Sequence, residues 1–390
     1  MRYEFPIIEN VQQVRDSIKG REEFVEAVKD GYTVFNYLVN FSDTFPKVVD
    51  ERTAILRECR GLIFNTESGK PISRRYHKFF NLGEKEETQS HNVDFTKNHF
   101  MLEKLDGSMI TPFRVNGQTL IGTKMGVTGV SEFPEIFFRE RENYGDFSDV
   151  MIESGKTPIF EWCSRKNRIV IDHPVDRLVL TAIRDNVTGQ YSSYEEMSGF
   201  AEEFDLDLVR KLNRSFDELY SEISELTDAE GYVLRFEDGH MLKIKGDWYC
   251  QIHKNMEHLH FEKDVIRLIL DEKVDDLKSF LAPDLSTKLD EFGSGIFHNI
   301  LSYSERVAWE SIEDYDRSSS KKQYASVVSS KSDAKERFMI YDFMANETSE
   351  TEKVLNYSYE IFMNKVKNSL TTATKVDNIR TIIGNLRWIP

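Results

Sequence analysis

The pentapeptide Lys104-Leu105-Asp106-Gly107-Ser108 follows a strand-like run at 99–102 and reads as KxDG at a strand-to-turn junction. A lysine placed there stands on a rigid support with its amine presented. That suits nucleophilic catalysis when nearby positive charge favours the neutral amine. On its own the motif carries little weight, because KxDG arises by chance in roughly one chain in ten of this length. Asp-Gly is also foremost a hairpin-turn signal.

Other residues must therefore supply the positive charge. Alternation in Glu230-Gly231-Tyr232-Val233-Leu234-Arg235-Phe236 and in Met241-Leu242-Lys243-Ile244-Lys245, on either side of Glu237-Asp238-Gly239, predicts a hairpin. Side chains alternate faces along a strand, so Lys243 and Lys245 point one way while Leu242 and Ile244 face the core. Two ammonium groups aimed at one spot suit a nucleotide's phosphates and favour the neutral form of a third lysine nearby. A solvated strand face has the same pattern.

Glu161 interrupts the apolar run Ile159-Phe160-Glu161-Trp162-Cys163, and a carboxylate buried in a strand demands a partner. A ribose, a metal-bound water or an internal salt bridge would each serve. Arg165, Lys166 and Arg168 follow it as a local basic patch able to grip a phosphate backbone, or as an ordinary solvated loop. Upstream, Glu58-Cys59-Arg60-Gly61-Leu62-Ile63-Phe64 and His77-Lys78-Phe79-Phe80-Asn81-Leu82-Gly83 each join a basic residue to an apolar strand. Arg60 suits bidentate phosphate contact, and Lys78 adds a point charge.

The elements that must hold these residues are marked by punctuation. Residues 1–250 carry 17 of the 20 glycines and 7 of the 9 prolines. Because Gly and Pro mark turns between short elements, the first part predicts mixed strands, turns and helices, with strands at 60–65, 157–163 and 178–184. In the remainder, apolar residues recur at three and four, as in Phe261, Val265, Leu268 and Ile269, and in Leu355, Ile361, Phe362 and Val366. That period predicts helices. The expected architecture is α+β, with a catalytic part at 1–255 followed by an all-α part at 256–390. Between Asp316 and Arg337 lie seven serines and six basic residues, which predict a flexible loop or an exposed helix face.

A formal net charge of −16 excludes a general positive coat, so any nucleic-acid contact must be local. Cys59, Cys163 and Cys250 have neither CxxC spacing nor the density of a disulfide scaffold, which points to a reducing cytoplasm. The opening residues lack the order of a signal peptide, and no apolar run is of membrane-spanning length. The expectation is a protein neither exported nor anchored.

In this order, KLDGS, the strand carboxylate Glu161, EGYVLRF and the paired KIK resemble the covalent nucleotidyltransferase superfamily of ATP-dependent ligases and capping enzymes. The resemblance implies an ATP-grasp-like ligase fold of mixed antiparallel sheets and helices. ECRGLIF, KFFNLGE, NRIV and KIKGDWY are similar to the phage RNA ligase 1 type, the tRNA-repairing ligases, over about residues 35–249. It implies Lys104 as the nucleophile toward the α-phosphate of ATP, with ATP contacts from Tyr37, Arg60, Lys78, Glu161, Lys243 and Lys245. Asp106, Gly107, Glu230 and Lys124 in GTKMG complete the active site. A divalent ion, Mg2+, is implied with Asp275 of the DDLK run as a ligand. SRKNRIV departs from the small residues the family carries before NRIV. The substrate implied is RNA, in particular tRNA with a broken anticodon loop, joined by a monomer in the cytoplasm of a phage's host.

Two other readings share parts of this pattern. A DNA ligase or GTP-using capping enzyme uses the same lysine chemistry but usually adds an OB-fold after the paired lysines, where this chain reads as helical. A non-catalytic RNA-binding protein on the same fold would leave Lys104 idle, and the acidic net charge disfavours it.

Overall fold

The computed structural model describes residues 5–389 apart from 42, 272–273, 275–280, 282 and 371–375. The chain divides into two compact units, Met1–Gln251 and Ile252–Pro390. The expected boundary at 255/256 falls slightly later, inside the helix Asp247–His258.

The first unit is built on three sheets. β1 (Phe24–Lys29), β2 (Tyr32–Tyr37), β3 (Leu62–Asn65) and β4 (Pro71–Ser73) pair antiparallel in that order. Phe24, Phe35, Leu62 and Phe64 pack there against Ile55 and Leu56 of the helix Glu51–Glu58. That helix starts where Asp50 accepts from Thr53 N, a cap that satisfies one of its orphan donors. A second sheet has the order β11 (Lys211–Leu212), β6 (His99–Lys104), β12 (Gly231–Phe236), β13 (Met241–Lys245) and β5 (Phe80–Asn81). The third runs β10 (Arg177–Asp185), β9 (Lys156–Cys163), β7 (Ser108–Val115) and β8 (Gln118–Gly122). Its core joins Ile110, Phe160, Trp162 and Leu180 to Phe147 and Met197 from neighbouring helices.

The strand expected at 60–65 begins at Leu62, because Gly61 adopts φ +87° and turns the chain after Arg60. The hairpin of β12 and β13 forms as expected, turning at Gly239 with φ +86°. Asp106 and Gly107, by contrast, close no hairpin. β6 and β7 belong to different sheets, so the segment carries the chain from one to the other. Gly107 is there for closeness: a Cβ on it would lie 2.4 Å from Trp162 O.

The second unit is helical throughout its described elements, including Glu262–Leu270, Pro283–Arg317, Lys321–Val328, Ala334–Asn346 and Thr351–Ser369. Val265 and Ile269 are buried as their period predicts, but Phe261 caps its helix and stands 62% exposed. The Ser- and Lys-rich stretch forms helix ends and one short helix whose Tyr324 and Val328 are buried and whose Lys321, Lys322, Gln323 and Ser326 are exposed, while Asp333 and Arg337 are buried as an ion pair. Among the described residues no helix is long and apolar enough to cross a membrane.

Gly231 tests this account most sharply. It adopts φ +136°, and a Cβ on it would lie 2.1 Å from Ile244 O. Gly231→Ala is expected to lower unfolding free energy by at least about 2 kcal/mol, because backbone strain adds to a clash that no rotamer relieves. Urea denaturation measures this; a loss below about 0.5 kcal/mol would show that β12 relaxes at that point.

Candidate active site

Strand register sets the spacing of the central charges. Lys104 on β6 lies opposite Gly231 on β12, which in turn lies opposite Lys245 on β13. Glu230, one residue earlier, reaches both lysines. Its Oε2 lies 2.8 Å from Lys104 Nζ and its Oε1 3.0 Å from Lys245 Nζ. Glu230 is buried at 4% exposure, and a carboxylate so far from water persists only with such partners. Glu230, expected in the site, is thus shared between two of its lysines.

Lys243 has no ion pair among the described residues. It shares a face of β13 with Lys245, and its Nζ lies 4.7 Å from the centre of the Phe79 ring. Burial first, then Arg60, Lys104, Lys78 and Lys245, hold its pKa well below the ordinary lysine range. Tyr37 ends β2 with Lys78 and Lys124 each 5.2 Å from its ring. Burial pushes its hydroxyl pKa up, but the charges of Lys78, Arg60 and Lys124 outweigh that and bring it down. Arg60 also donates to Met109 Sδ at 3.3 Å. Among the described residues, Arg60, Lys78, Lys124 and Lys243 have no carboxylate within ion-pair distance.

Glu161 projects from β9, opposite Met109 of β7. Burial pushes its pKa up to about 7, against the pull of Lys104 and with Glu230 adding to the rise. It forms no ion pair among the described residues, which leaves its acceptors for a ligand. Asp106 is fully engaged instead. Its Oδ2 accepts from Val170 N at 2.8 Å and Ile171 N at 2.6 Å, and its Oδ1 accepts from Tyr249 OH at 2.6 Å. Asp106 therefore ties the turn after Lys104 to the 164–173 loop and to the helix after β13.

Tyr249 had no assigned role in the sequence, although a buried Asp106 requires donors from somewhere. Glu58 likewise proves to be a buried anchor, accepting from Arg74 Nε at 3.1 Å and from Arg184 NH1 and NH2 at 2.7 and 2.9 Å. Its pKa stays low because those guanidinia outweigh its burial. The basic patch is partly spent: Arg165 forks onto Asp172, Lys166 lies 4.8 Å from the Phe133 ring centre, and Arg168 donates to Val170 O.

The donor set fits a divalent ion that arrives with a nucleotide. Mg2+ characteristically takes one or two carboxylates, phosphate oxygens and water, and Glu161 is the site carboxylate with open acceptors. Asp275 lies outside the described residues. Among those described, no group of three or more His, Cys, Asp or Glu could hold a metal by itself.

Residues 58–249 match the RNA ligase family. The matched segment contains Lys104, Glu161, Glu230, Lys243 and Lys245, whereas Tyr37 precedes it. A protein of Thermovibrio ammonificans carrying the provisional name RNA ligase is 29% identical over 310 residues, 76% of this chain and 80% of that protein. A provisionally named bifunctional polynucleotide kinase/RNA ligase of Autographa californica nuclear polyhedrosis virus is 26% identical over 298 residues, 67% of this chain and 41% of its own length. An archaeal ATP-dependent RNA ligase structure is 14% identical, with a TM-score of 0.41 over 91% of this chain and 78% of that one.

Glu161 generates a pH prediction. Its raised pKa leaves it mostly protonated below about 7, and ionisation makes it a stronger acceptor. The apparent second-order rate of nucleotide attachment should therefore rise through pH 7. Glu161→Gln should remove that inflection and lower the plateau by about tenfold or more. An unchanged profile in Glu161→Gln would assign the inflection to another group.

Proposed function

We propose that this chain is an ATP-dependent RNA ligase that joins 5′-phosphate and 3′-hydroxyl RNA ends through a lysine-AMP intermediate on Lys104. The observation that carries the reading is a strand-held lysine near Lys243, which also stands among Arg60 and Lys78, while Lys78, Arg60 and Lys124 gather at Tyr37; these four cations have no carboxylate partners among the described residues. Such an arrangement suits a polyanion whose charge grows as a phosphoryl centre is attacked.

In the first step Lys104 gives up a proton, and Glu230 at 2.8 Å is positioned to accept it. The amine nitrogen bonds to the α-phosphorus, the bond from that phosphorus to the bridging oxygen breaks, and pyrophosphate leaves with the electron pair. An RNA 5′-phosphate oxygen then displaces Lys104 and takes the AMP. A 3′-hydroxyl, losing its proton, attacks that 5′-phosphorus and releases AMP as the phosphodiester forms. Lys243, Lys245 and Arg60 hold the phosphates in place and offset their charge. A divalent ion held with Glu161 would add positive charge at the same phosphates.

The finer reading is repair of tRNA broken in its anticodon loop, by a phage-encoded monomer in the host cytoplasm with Mg2+. It rests on the ECRGLIF, KFFNLGE, NRIV and KIKGDWY resemblance, with the helical residues 256–390 offered as the seat of tRNA recognition. A nicked anticodon stem-loop should then be sealed in preference to a linear RNA with the same ends; equal rates would sink the tRNA assignment.

Incubation with α-labelled ATP and Mg2+, followed by denaturing electrophoresis, tests the chemistry. Wild type should carry label and Lys104→Ala should carry none. Unlabelled wild type would end the ligase reading, and label surviving in Lys104→Ala would move the nucleophile elsewhere. Lys243→Ala and Lys245→Ala should each slow labelling by about tenfold or more.

A further inference from the structure

Arg75 is 2% exposed and has no carboxylate within ion-pair distance among the described residues. Its Nε donates to Thr111 Oγ1 on β7 at 2.6 Å, and its NH1 donates to Gly61 O. Its NH2 is buried without a hydrogen-bond partner, 3.1 Å from where a Cβ on Gly122 would stand. The guanidinium also lies 5.8 Å from the Phe113 ring centre. Buried beside Arg60 and without an anion, it is held at a pKa of about 9, far below the ordinary arginine range.

Such a group is a poor choice for stability alone. An apolar side chain of similar volume would avoid the desolvation cost that no counter-charge here offsets. Arg74, the adjacent arginine, shows the stabilising alternative, since it is paired with Glu58. What distinguishes Arg75 is the set of segments it joins. Gly61 follows Arg60 and adopts φ +87°, with its own N–H donating to Phe35 O at 2.9 Å. A Cβ on Gly61 would meet Lys124 O at 2.7 Å and Arg75 Cδ at 3.1 Å. Arg75 thus fastens the Arg60 turn to β7 at the point where the Lys124 backbone crosses it. Arg60 and Lys124 both act on Tyr37 from these two segments.

We infer that Arg75 is a positioning residue for nucleotide binding: from beneath, it fixes the Arg60–Gly61 turn against β7 and the Lys124 segment, so that both cations converge beside Tyr37. This rests on the reading of the Lys104 site as an ATP site. Arg75 touches no reacting atom, so its loss should weaken capture of ATP more than the chemical step, because misplacing Arg60 and Lys124 removes binding shared by ground and transition states.

The test is calorimetric titration with ATP, alongside single-turnover labelling at varied ATP, for full-length wild type, Arg75→Met, Arg75→Lys, Thr111→Val and Arg74→Met. Arg75→Met should raise both Kd and KM for ATP by about tenfold or more, while the labelling rate at saturating ATP falls less than about threefold. Arg75→Lys, which keeps the charge but cannot reach Thr111 and Gly61 together, should recover part of the affinity. Thr111→Val should shift Kd in the same direction by a smaller factor. Arg74→Met should lower the melting temperature and leave Kd unchanged in folded protein. If Arg75→Met does not fold, Arg75→Lys and Thr111→Val decide, and unchanged ATP affinity in both overturns the inference. A normal Kd in folded Arg75→Met, or a loss confined to the saturating rate, also overturns it. Wild type that binds ATP without labelling overturns only the lysine-AMP reading, because Kd still reports on Arg75; wild type that does not bind ATP overturns both.

Discussion

Glu230 between Lys104 and Lys245 is the interaction on which the remaining site geometry depends. A carboxylate at 4% exposure is held by two ammonium groups at 2.8 and 3.0 Å, and three adjacent strands fix that spacing. Removing either lysine would leave a buried anion half compensated, at a cost of about 3–5 kcal/mol for a broken buried pair. Gly231 makes the arrangement possible, because its φ of +136° lets the backbone of β12 pass close to Ile244 O while Glu230 turns toward both lysines.

Glu230 pairs with Lys104 and Lys245 and leaves Arg60, Lys78, Lys124 and Lys243 without an ion pair among the described residues. Two like charges about 7 Å apart repel by roughly 2 kcal/mol at an effective dielectric of about 20, so several such pairs amount to a site under electrostatic load. Lys243 records that load, since burial and its cationic neighbours together depress its pKa. A nucleotide's phosphates would relieve it. The acidic whole chain and the cationic site are therefore compatible: a net charge of −16 prevents diffuse binding of nucleic acid, and the local surplus selects a polyanion at one place.

The frame beneath the site is also ionic but differently balanced. Glu58 is enclosed by Arg74 and Arg184, a closed arrangement whose hydrogen bonds offset its burial. Arg184 NH1 also donates to Arg75 O, which links that anchor to the arginine under Gly61. Gly61, which follows Arg60, is itself tied from below by Arg75 NH1. Asp106 performs a similar service for Lys104 through Val170, Ile171 and Tyr249.

Local pattern determined what each segment is. Alternation around Gly239 defined the β12–β13 hairpin and put Lys243 and Lys245 on one face, because strand geometry repeats every second residue whatever the surroundings. The three-four period likewise defined the helices of the second unit, and the order of motifs pointed to the RNA ligase family that residues 58–249 match. Tertiary structure decided what faces what. That Glu230 bridges Lys104 and Lys245 follows from register across three strands, which no single segment encodes. That Asp106-Gly107 crosses between sheets depends on the approach of Trp162. Arg74 and Arg75 are adjacent and chemically identical, yet one pairs with Glu58 and the other lies without an anion under Gly61. Burial and partners separate them, and both are properties of the packed chain: the energy of a charge depends on what surrounds it, and its neighbours in space come from distant parts of the sequence.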